Sequence, residues 1–149
     1  VWEQVSMVEG AAAAAGVMLE VSLPDTEILV SADANQLGRA ILNILKNSME
    51  ACEQGSMISI MLNHSSRYNL TLIIRDTGKG MNQSTLRAMW TPMFTTKESG
   101  NGLGSFIART VVMKHKGRIE ADSTPGKGTV IRIELPRTTK DIESNGSSS

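Results

Sequence analysis

Between Asp33 and Gln54 apolar side chains recur at intervals of three and four residues: Leu37, Ile41, Ile44 and Leu45, continued by Ser48 and Cys52. This spacing puts them on one stripe of an α-helix. Asp33 is suited to cap its start and Gly55 to stop its end. A helix with one apolar stripe needs a flat apolar surface to cover it. The rest of the chain offers one. "MISIMLN" (Met57 to Asn63) and "LTLIIRD" (Leu70 to Asp76) read as a strand pair joined by the polar loop "HSSRYN". "RIEADS" and "TVIRIEL" read as a second pair around the turn "TPGKG". In the last strand Thr129, Ile131, Ile133 and Leu135 take one side, and Val130, Arg132 and Glu134 the other.

Further elements complete the pattern. Residues 2 to about 15 read as a helix ending in Ala11 to Ala15, with Gly16 as its stop. "VMLEVSL" (Val17 to Leu23) alternates like a strand, and "ILV" (Ile28 to Val30) reads as a short second one. "NQSTLRAMW" reads as a short helix capped by Asn82 or Ser84. Leu103 to His115 reads as a helix with Leu103, Phe106, Ile107, Thr110 and Val111 on one face and Gly117 as its stop. The glycine-bounded stretch Thr91 to Gly102 reads as a loop. The order predicts an α+β fold: a two-layer α/β sandwich with a mixed, mostly antiparallel sheet and three main helices on one face. The polar tail from Arg137 is expected to be disordered.

The 149 residues, 40% of them hydrophobic, suit one compact domain. Lys+Arg and Asp+Glu stand at 15 each, so no global field draws the chain to nucleic acid or to an anionic membrane, and neither is expected as a direct partner. Cys52 is the only cysteine, which excludes an internal disulfide. It is expected as a small buried apolar residue in a reducing compartment. No apolar run approaches the ~20 residues of a membrane span. Val1 does not open a signal-peptide pattern. A cytoplasmic location is therefore expected, and membrane anchoring of the full-length protein stays open.

Two common phosphate motifs are missing. "PGKGT" (Pro125 to Thr129) lacks the Ser or Thr directly after the Lys of a P-loop and reads as a hairpin turn, and there is no G-x-G-x-x-G. Three other constellations can carry chemistry, and each also has a plain structural reading. Asn43 and Asn47 lie four apart on the long helix, so their amides share a face. At ~100° per residue that face lies roughly 130° from the apolar stripe. They are two solvated asparagines or, since asparagine is a poor helix former, an amide offered to Mg²⁺. Asp76-x-Gly78-x-Gly80 is a strand-to-loop turn or a carboxylate facing an exocyclic amine, with glycines admitting a flat ring. Gly100-Asn101-Gly102-Leu103-Gly104 is a hinge or an anion site opening a helix.

The order of these stretches resembles a known family, the ATP-binding catalytic domain of bacterial sensor histidine kinases. It belongs to the wider group containing gyrase B, the ninety-kilodalton heat-shock chaperones and mismatch-repair MutL. "DANQLGRAILNILKNSMEA" (Asp33 to Ala51) resembles the family's N box and "DTGKGM" (Asp76 to Met81) its G1 box. "PMFTTK" (Pro92 to Lys97) resembles its F box, "GNGLGS" (Gly100 to Ser105) its G2 box, and "HKGRIEADSTPGKGTVIRIELP" its closing strand pair. The resemblance runs from about Val17 to Pro136 and implies a Bergerat-type ATP-binding fold with ATP and Mg²⁺ as cofactors. It implies that Asn47 binds Mg²⁺, that Asp76 reads the adenine amine, and that Gly78 and Gly80 lie beside the base. Gly102 and Gly104 would stand near the phosphates, and Phe94 at the hinge of a mobile lid from about Thr91 to Gly102. Lys97, in that lid, would reach a phosphate. Met81, Thr96, Gly100 and Leu103 complete the implied nucleotide set. Glu50 stands where some relatives carry a cation, and Ser105 where many carry an aliphatic residue.

Position 43 separates reaction types. In related ATP-hydrolysing proteins and in stand-alone anti-sigma-factor serine kinases, the matching residue is usually a glutamate acting as general base. Asn43 cannot take a proton from water at neutral pH. Transfer to histidine needs no such base, because a neutral imidazole already has a nucleophilic nitrogen. His64 and His115 do not sit in a helical "HE" setting like the family's phosphoacceptor and read as structural or solvated. The expected acceptor is a histidine on a dimerisation domain preceding this chain, with residues 1–16 as the connecting helix, 17–136 as the catalytic domain, and a response regulator as indirect partner. The alternatives are a stand-alone serine kinase of anti-sigma type and a nucleotide-binding module that acts only by contact.

Overall fold

A computed structural model describes residues 1–25, 30, 32–64, 66–92 and 104–137. In chain order the elements are α1 (Trp2–Ala15), β1 (Met18–Ser22), α2 (Ala34–Ala51), β2 (Met57–His64), β3 (Asn69–Asp76), α3 (Gln83–Ala88), α4 (Gly104–Lys114), β4 (Arg118–Thr124) and β5 (Gly128–Pro136). The five strands form one sheet in the order β1-β2-β3-β5-β4. β1 runs parallel to β2, and every other neighbouring pair is antiparallel. This is the expected mixed, mostly antiparallel sheet, and it is not doubly wound.

Period-two burial builds the core. Ile58 and Ile60 of β2, Leu70, Leu72 and Ile74 of β3, and Ile131, Ile133 and Leu135 of β5 share one cluster. The α2 stripe (Leu37, Ala40, Ile41, Ile44, Leu45) lies in it, joined by Val5, Val8 and Ala12 of α1 and by Ala108, Val111 and Val112 of α4. Three main helices therefore cover the sheet. The strand expected at Ile28 to Val30 falls largely outside the described residues, and Val30 itself is not in a strand. The expected tail lies beyond the described residues except for Arg137, which is buried and donates its N–H to the Tyr68 carbonyl at 2.7 Å.

Three expectations need correction. The long helix stops at Ala51, not at Gly55, because Cys52 is extended (φ −92°, ψ 146°). Ser56 supplies the competing turn: its hydroxyl accepts from the Glu53 N–H at 3.1 Å and its own N–H donates to the Glu53 carbonyl at 3.0 Å. Gly55 instead donates to the Gly16 carbonyl at 2.9 Å, joining the ends of α1 and α2. Cys52 is half-buried rather than fully buried. Finally, α4 buries Ala108, Val111 and Val112, while Phe106 is 36% exposed and Thr110 points to solvent. Ala108, Val111 and Val112 share one core with the α2 stripe, and packing against that apolar surface selects their face over the one that carries Phe106.

α4 runs antiparallel to α2. Its first turn lies against Asn43 and Asn47, and its far end meets the start of α2 through His115. The Asp33 N–H donates to His115 Nε2 at 3.0 Å, and His115 Nδ1 lies 2.7 Å from the Val111 carbonyl oxygen. Since Nε2 accepts, the ring proton sits on Nδ1 and is donated to that carbonyl. One imidazole thus closes the end of α4 and serves the N-cap residue of α2, whose side chain accepts from the Gln36 N–H at 3.1 Å. Replacing His115 by Leu removes the acceptor of the exposed Asp33 N–H and should lower the unfolding free energy by about 0.5–1.5 kcal/mol, the net worth of a hydrogen bond. Urea unfolding measures it, with the exposed His64→Leu as a control expected within about 0.5 kcal/mol of the parent.

Candidate functional site

β3 ends in a carboxylate. Asp76 is 4% exposed, and burying a charge costs several kcal/mol unless hydrogen bonds replace water. Three elements supply those bonds. The Gly78 N–H in the loop after β3 donates to Asp76 Oδ1 at 2.9 Å. The side chain of Ser48 on α2 and the backbone of Thr129, which pairs with Asp76 across β3 and β5, also bond to the carboxylate. Burial still outweighs them and holds the Asp76 carboxyl above the usual carboxylate range. A carboxylate in this state gains more than an exposed one from a further N–H donor.

The loop from Thr77 to Met81 is fixed on both sides by backbone contacts. Lys79 donates its N–H to the Ala51 carbonyl at the end of α2 at 2.9 Å, and its carbonyl accepts from the Gly126 N–H at 2.7 Å. The Met81 N–H donates to Ser123 Oγ at 2.7 Å. Ser123 in turn donates to the Gly128 carbonyl at 2.9 Å and lies 2.8 Å from Thr129 Oγ1. The glycines permit these approaches. A Cβ at Gly78 would strike the Ala51 carbonyl, and one at Gly128 (φ 101°) the Asp76 carbonyl. A Cβ at Gly80 (φ 69°) would likewise strike the Thr124 carbonyl. Gly78 and Gly80, read from the sequence as room for a flat ring, are thus also demanded by the chain's own backbone.

The paired asparagines meet a different neighbour. Both are half-buried. The amide of Asn47 donates from Nδ2 to Ser105 Oγ at 3.2 Å. A Cβ on Gly104 would lie 3.9 Å from both the Asn43 Cβ and Asn47 Nδ2. Each is therefore half-buried beside the first turn of α4 rather than fully exposed. The C-terminal half of α2 is where the constellations converge: Ser48 and Ala51 face the Asp76 loop, while Asn43 and Asn47 face Gly104 and Ser105. Glu50 is exposed one turn further on. Phe94, Thr96, Lys97, Gly100, Gly102 and Leu103, and with them all of the expected lid beyond Thr91 and Pro92, lie outside the described residues.

Sequence reasoning misses Ser48, Ser123 and Thr129 as parts of this site. Ser48 falls in the apolar stripe, where a hydroxyl needs a partner; that mismatch is its signal. Thr129 reads only as an inward strand residue, and Ser123 gives no signal. Beside the site, Cys52 has its thiol pushed up by burial and then by the nearby Asp76 charge.

Residues 32–139 match a family described as the histidine kinase-, DNA gyrase B- and HSP90-like ATPases, and the chain belongs to this family. It is 30% identical over 122 residues to sporulation kinase A of Bacillus subtilis (strain 168), covering 82% of this chain and 20% of that protein. It is 34% identical over 107 residues to the sensor histidine kinase ZraS of Klebsiella oxytoca, covering 72% of this chain and 23% of that one. The chain thus spans about a fifth of the length of these relatives. Among solved structures, the mycobacterial sensor histidine kinase MprB superposes with a TM-score of 0.81 at 28% identity, over 91% of this chain and 90% of that one.

The state of Asp76 has a measurable consequence. A carboxyl whose pKa is raised by folding binds its proton more tightly in the folded chain than in the unfolded one. Its contribution is complete below the ordinary carboxylate pKa of about 4 and is lost as pH rises through the folded value. The amide that replaces it in the variant Asp76→Asn does not titrate. The stability of the parent relative to Asp76→Asn should therefore fall as pH is raised above about 4 and be level below it. Urea unfolding of the nucleotide-free protein across a pH series reads this, and a difference constant with pH contradicts a carboxylate governed by burial.

Proposed function

We propose that this domain binds Mg²⁺–ATP between the C-terminal half of α2, the loop after β3 and the start of α4, and transfers the γ-phosphoryl group to a histidine on a separate dimerisation domain. The observation that carries the reading is Asp76, a desolvated carboxylate at the end of a central strand. Its role is to accept a hydrogen bond from the adenine amine. Guanine presents a carbonyl at the equivalent position, so the same carboxylate repels it.

Mg²⁺ fits the chain in one way. Among the described residues no group of three His, Cys, Asp or Glu side chains could hold a metal alone. Mg²⁺ commonly takes one protein oxygen or two, its own waters and the substrate phosphates. Asn47 is the proposed protein ligand, and Mg²⁺ would neutralise phosphate charge there. Gly104 opens α4, where its backbone would lie near the phosphates; Gly102, Lys97, Phe94, Thr96, Gly100, Leu103 and Met81 are proposed to complete the nucleotide contacts, Lys97 as a cation. The acceptor imidazole nitrogen attacks the γ-phosphorus, the bond to the β-phosphate oxygen breaks, and ADP leaves. Asn43 has no proton-accepting role in this step, which suits a domain that transfers rather than hydrolyses. Residues 1–16 are the proposed connection to the dimerisation domain, a response regulator is the indirect partner, and the location is the cytoplasm. Among the described residues no helix is long and apolar enough to cross a membrane.

Asp76→Asn should weaken binding of an ATP analogue about tenfold or more, the loss of a charge-assisted bond of ~1.5–3 kcal/mol, with a smaller effect on a guanine analogue. Asn47→Ala should abolish the part of the affinity that depends on Mg²⁺ and keep the adenine contact. Asn43→Glu should raise slow phosphate release by restoring a base near the γ-phosphate. The decisive assay follows labelled γ-phosphate from ATP onto a histidine-bearing dimerisation domain. Label appearing on serine instead, or unchanged Mg²⁺–nucleotide affinity in Asn47→Ala, overturns the proposal.

A further inference from the structure

We infer that Ser105 is a positioning residue for Asn47, fixing its amide so that the oxygen end is presented to the metal. The inference rests on the proposed role of Asn47 as the Mg²⁺ ligand. An asparagine amide has an acceptor oxygen at one end and two N–H donors at the other, and a half-turn about its last bond exchanges them at almost no change in shape. Only the oxygen can bind a cation. An amide with the wrong end forward points hydrogens at Mg²⁺, so orientation must be held by whatever touches the opposite edge.

That edge is touched by Ser105. Its Oγ accepts from Asn47 Nδ2 at 3.2 Å, across 58 residues of sequence and between two helices. The contact is partly buried, which shields it from competing water. Both partners stand on helices, and a Cβ placed on Gly104 would lie at ordinary contact distance, 3.9 Å, from the same amide nitrogen. The serine side chain is short and reaches the amide from the first turn of α4, so the amide plane follows the placement of that turn. An aliphatic side chain at position 105 could pack against the amide but could not accept its N–H. The serine therefore couples the metal-binding amide to the helix start where the phosphates are proposed to lie.

The test titrates Mg²⁺ against a fluorescent ATP analogue with the parent, Ser105→Ala, Ser105→Thr, Asn47→Ala and the double variant Asn47→Ala/Ser105→Ala. Ser105→Ala should raise the Mg²⁺ concentration for half-maximal binding about three- to tenfold and leave affinity in EDTA unchanged. Ser105→Thr, which keeps the hydroxyl, should stay within about twofold of the parent. In the Asn47→Ala background, removing the serine hydroxyl should add nothing, because the partner it orients is gone. A Mg²⁺ requirement unchanged by Ser105→Ala, while Asn47→Ala removes Mg²⁺ dependence, overturns the positioning role and spares the metal assignment. Equal losses with and without Mg²⁺ in Ser105→Ala mean helix packing alone and overturn it as well. No effect of Asn47→Ala on Mg²⁺ dependence sinks the metal assignment itself.

Discussion

The buried carboxylate of Asp76 ties the parts of this domain together. It is unfavourable in the core unless donors surround it, and those donors come from three places: Ser48 on α2, Gly78 in the loop after β3, and Thr129 on β5. Each can be there only if helix, loop and strand are all in register. The packing of α2 on the sheet and the alignment of β3 with β5 are thus conditions for one side chain. Hydrogen bonds alone do not settle its ionisation, since burial still raises the pKa. What remains is a carboxylate whose ionised form burial still disfavours, and which a further N–H donor would stabilise.

The second dependence is the pairing of α2 with α4. At one end His115 serves both helices, accepting from Asp33 and donating to Val111. At the other, Ser105 meets Asn47. Between them Ala108, Val111 and Val112 of α4 share one core with the α2 stripe, and the larger Phe106 is turned outward. Each polar contact is modest, at about 1 kcal/mol net. Their importance lies in setting how α4 lies along α2, because the start of α4 and the asparagines of α2 form one wall of the candidate site.

Much of this could be read from residue order. The α2 stripe, the alternation along β5 and the two hairpins express local periodicities that the folded chain keeps, because each element must hide its apolar side. The left-handed Gly16 at the end of α1 is likewise visible, since few other residues adopt φ 70° without strain. Where local signals fail, a contact with a distant segment or a local competitor decides. The turn around Ser56 ends α2 well before the expected stop. The face of α4 could not be inferred from apolar spacing, since Phe106 and Ile107 offer competing stripes and only the surface of α2 chooses between them.

The same division holds for the site. By itself the sequence determined the ordered set of residues that defines the family, from the asparagines through Asp76 and its glycines to the start of α4, because those types and spacings are carried along the chain. It also determined that position 43 bears no base. The tertiary structure alone decided that Ser48 and Thr129 converge on Asp76, that Ser123 bolts the loop to the last hairpin, and that Ser105 faces Asn47. Ser48, a hydroxyl in an apolar stripe, shows by its spacing that it needs a partner, but no spacing says which partner any of these residues meets. A short hydroxyl side chain can find its partner anywhere in the fold, and only the packing of helices on the sheet brings the two within about 3 Å of one another.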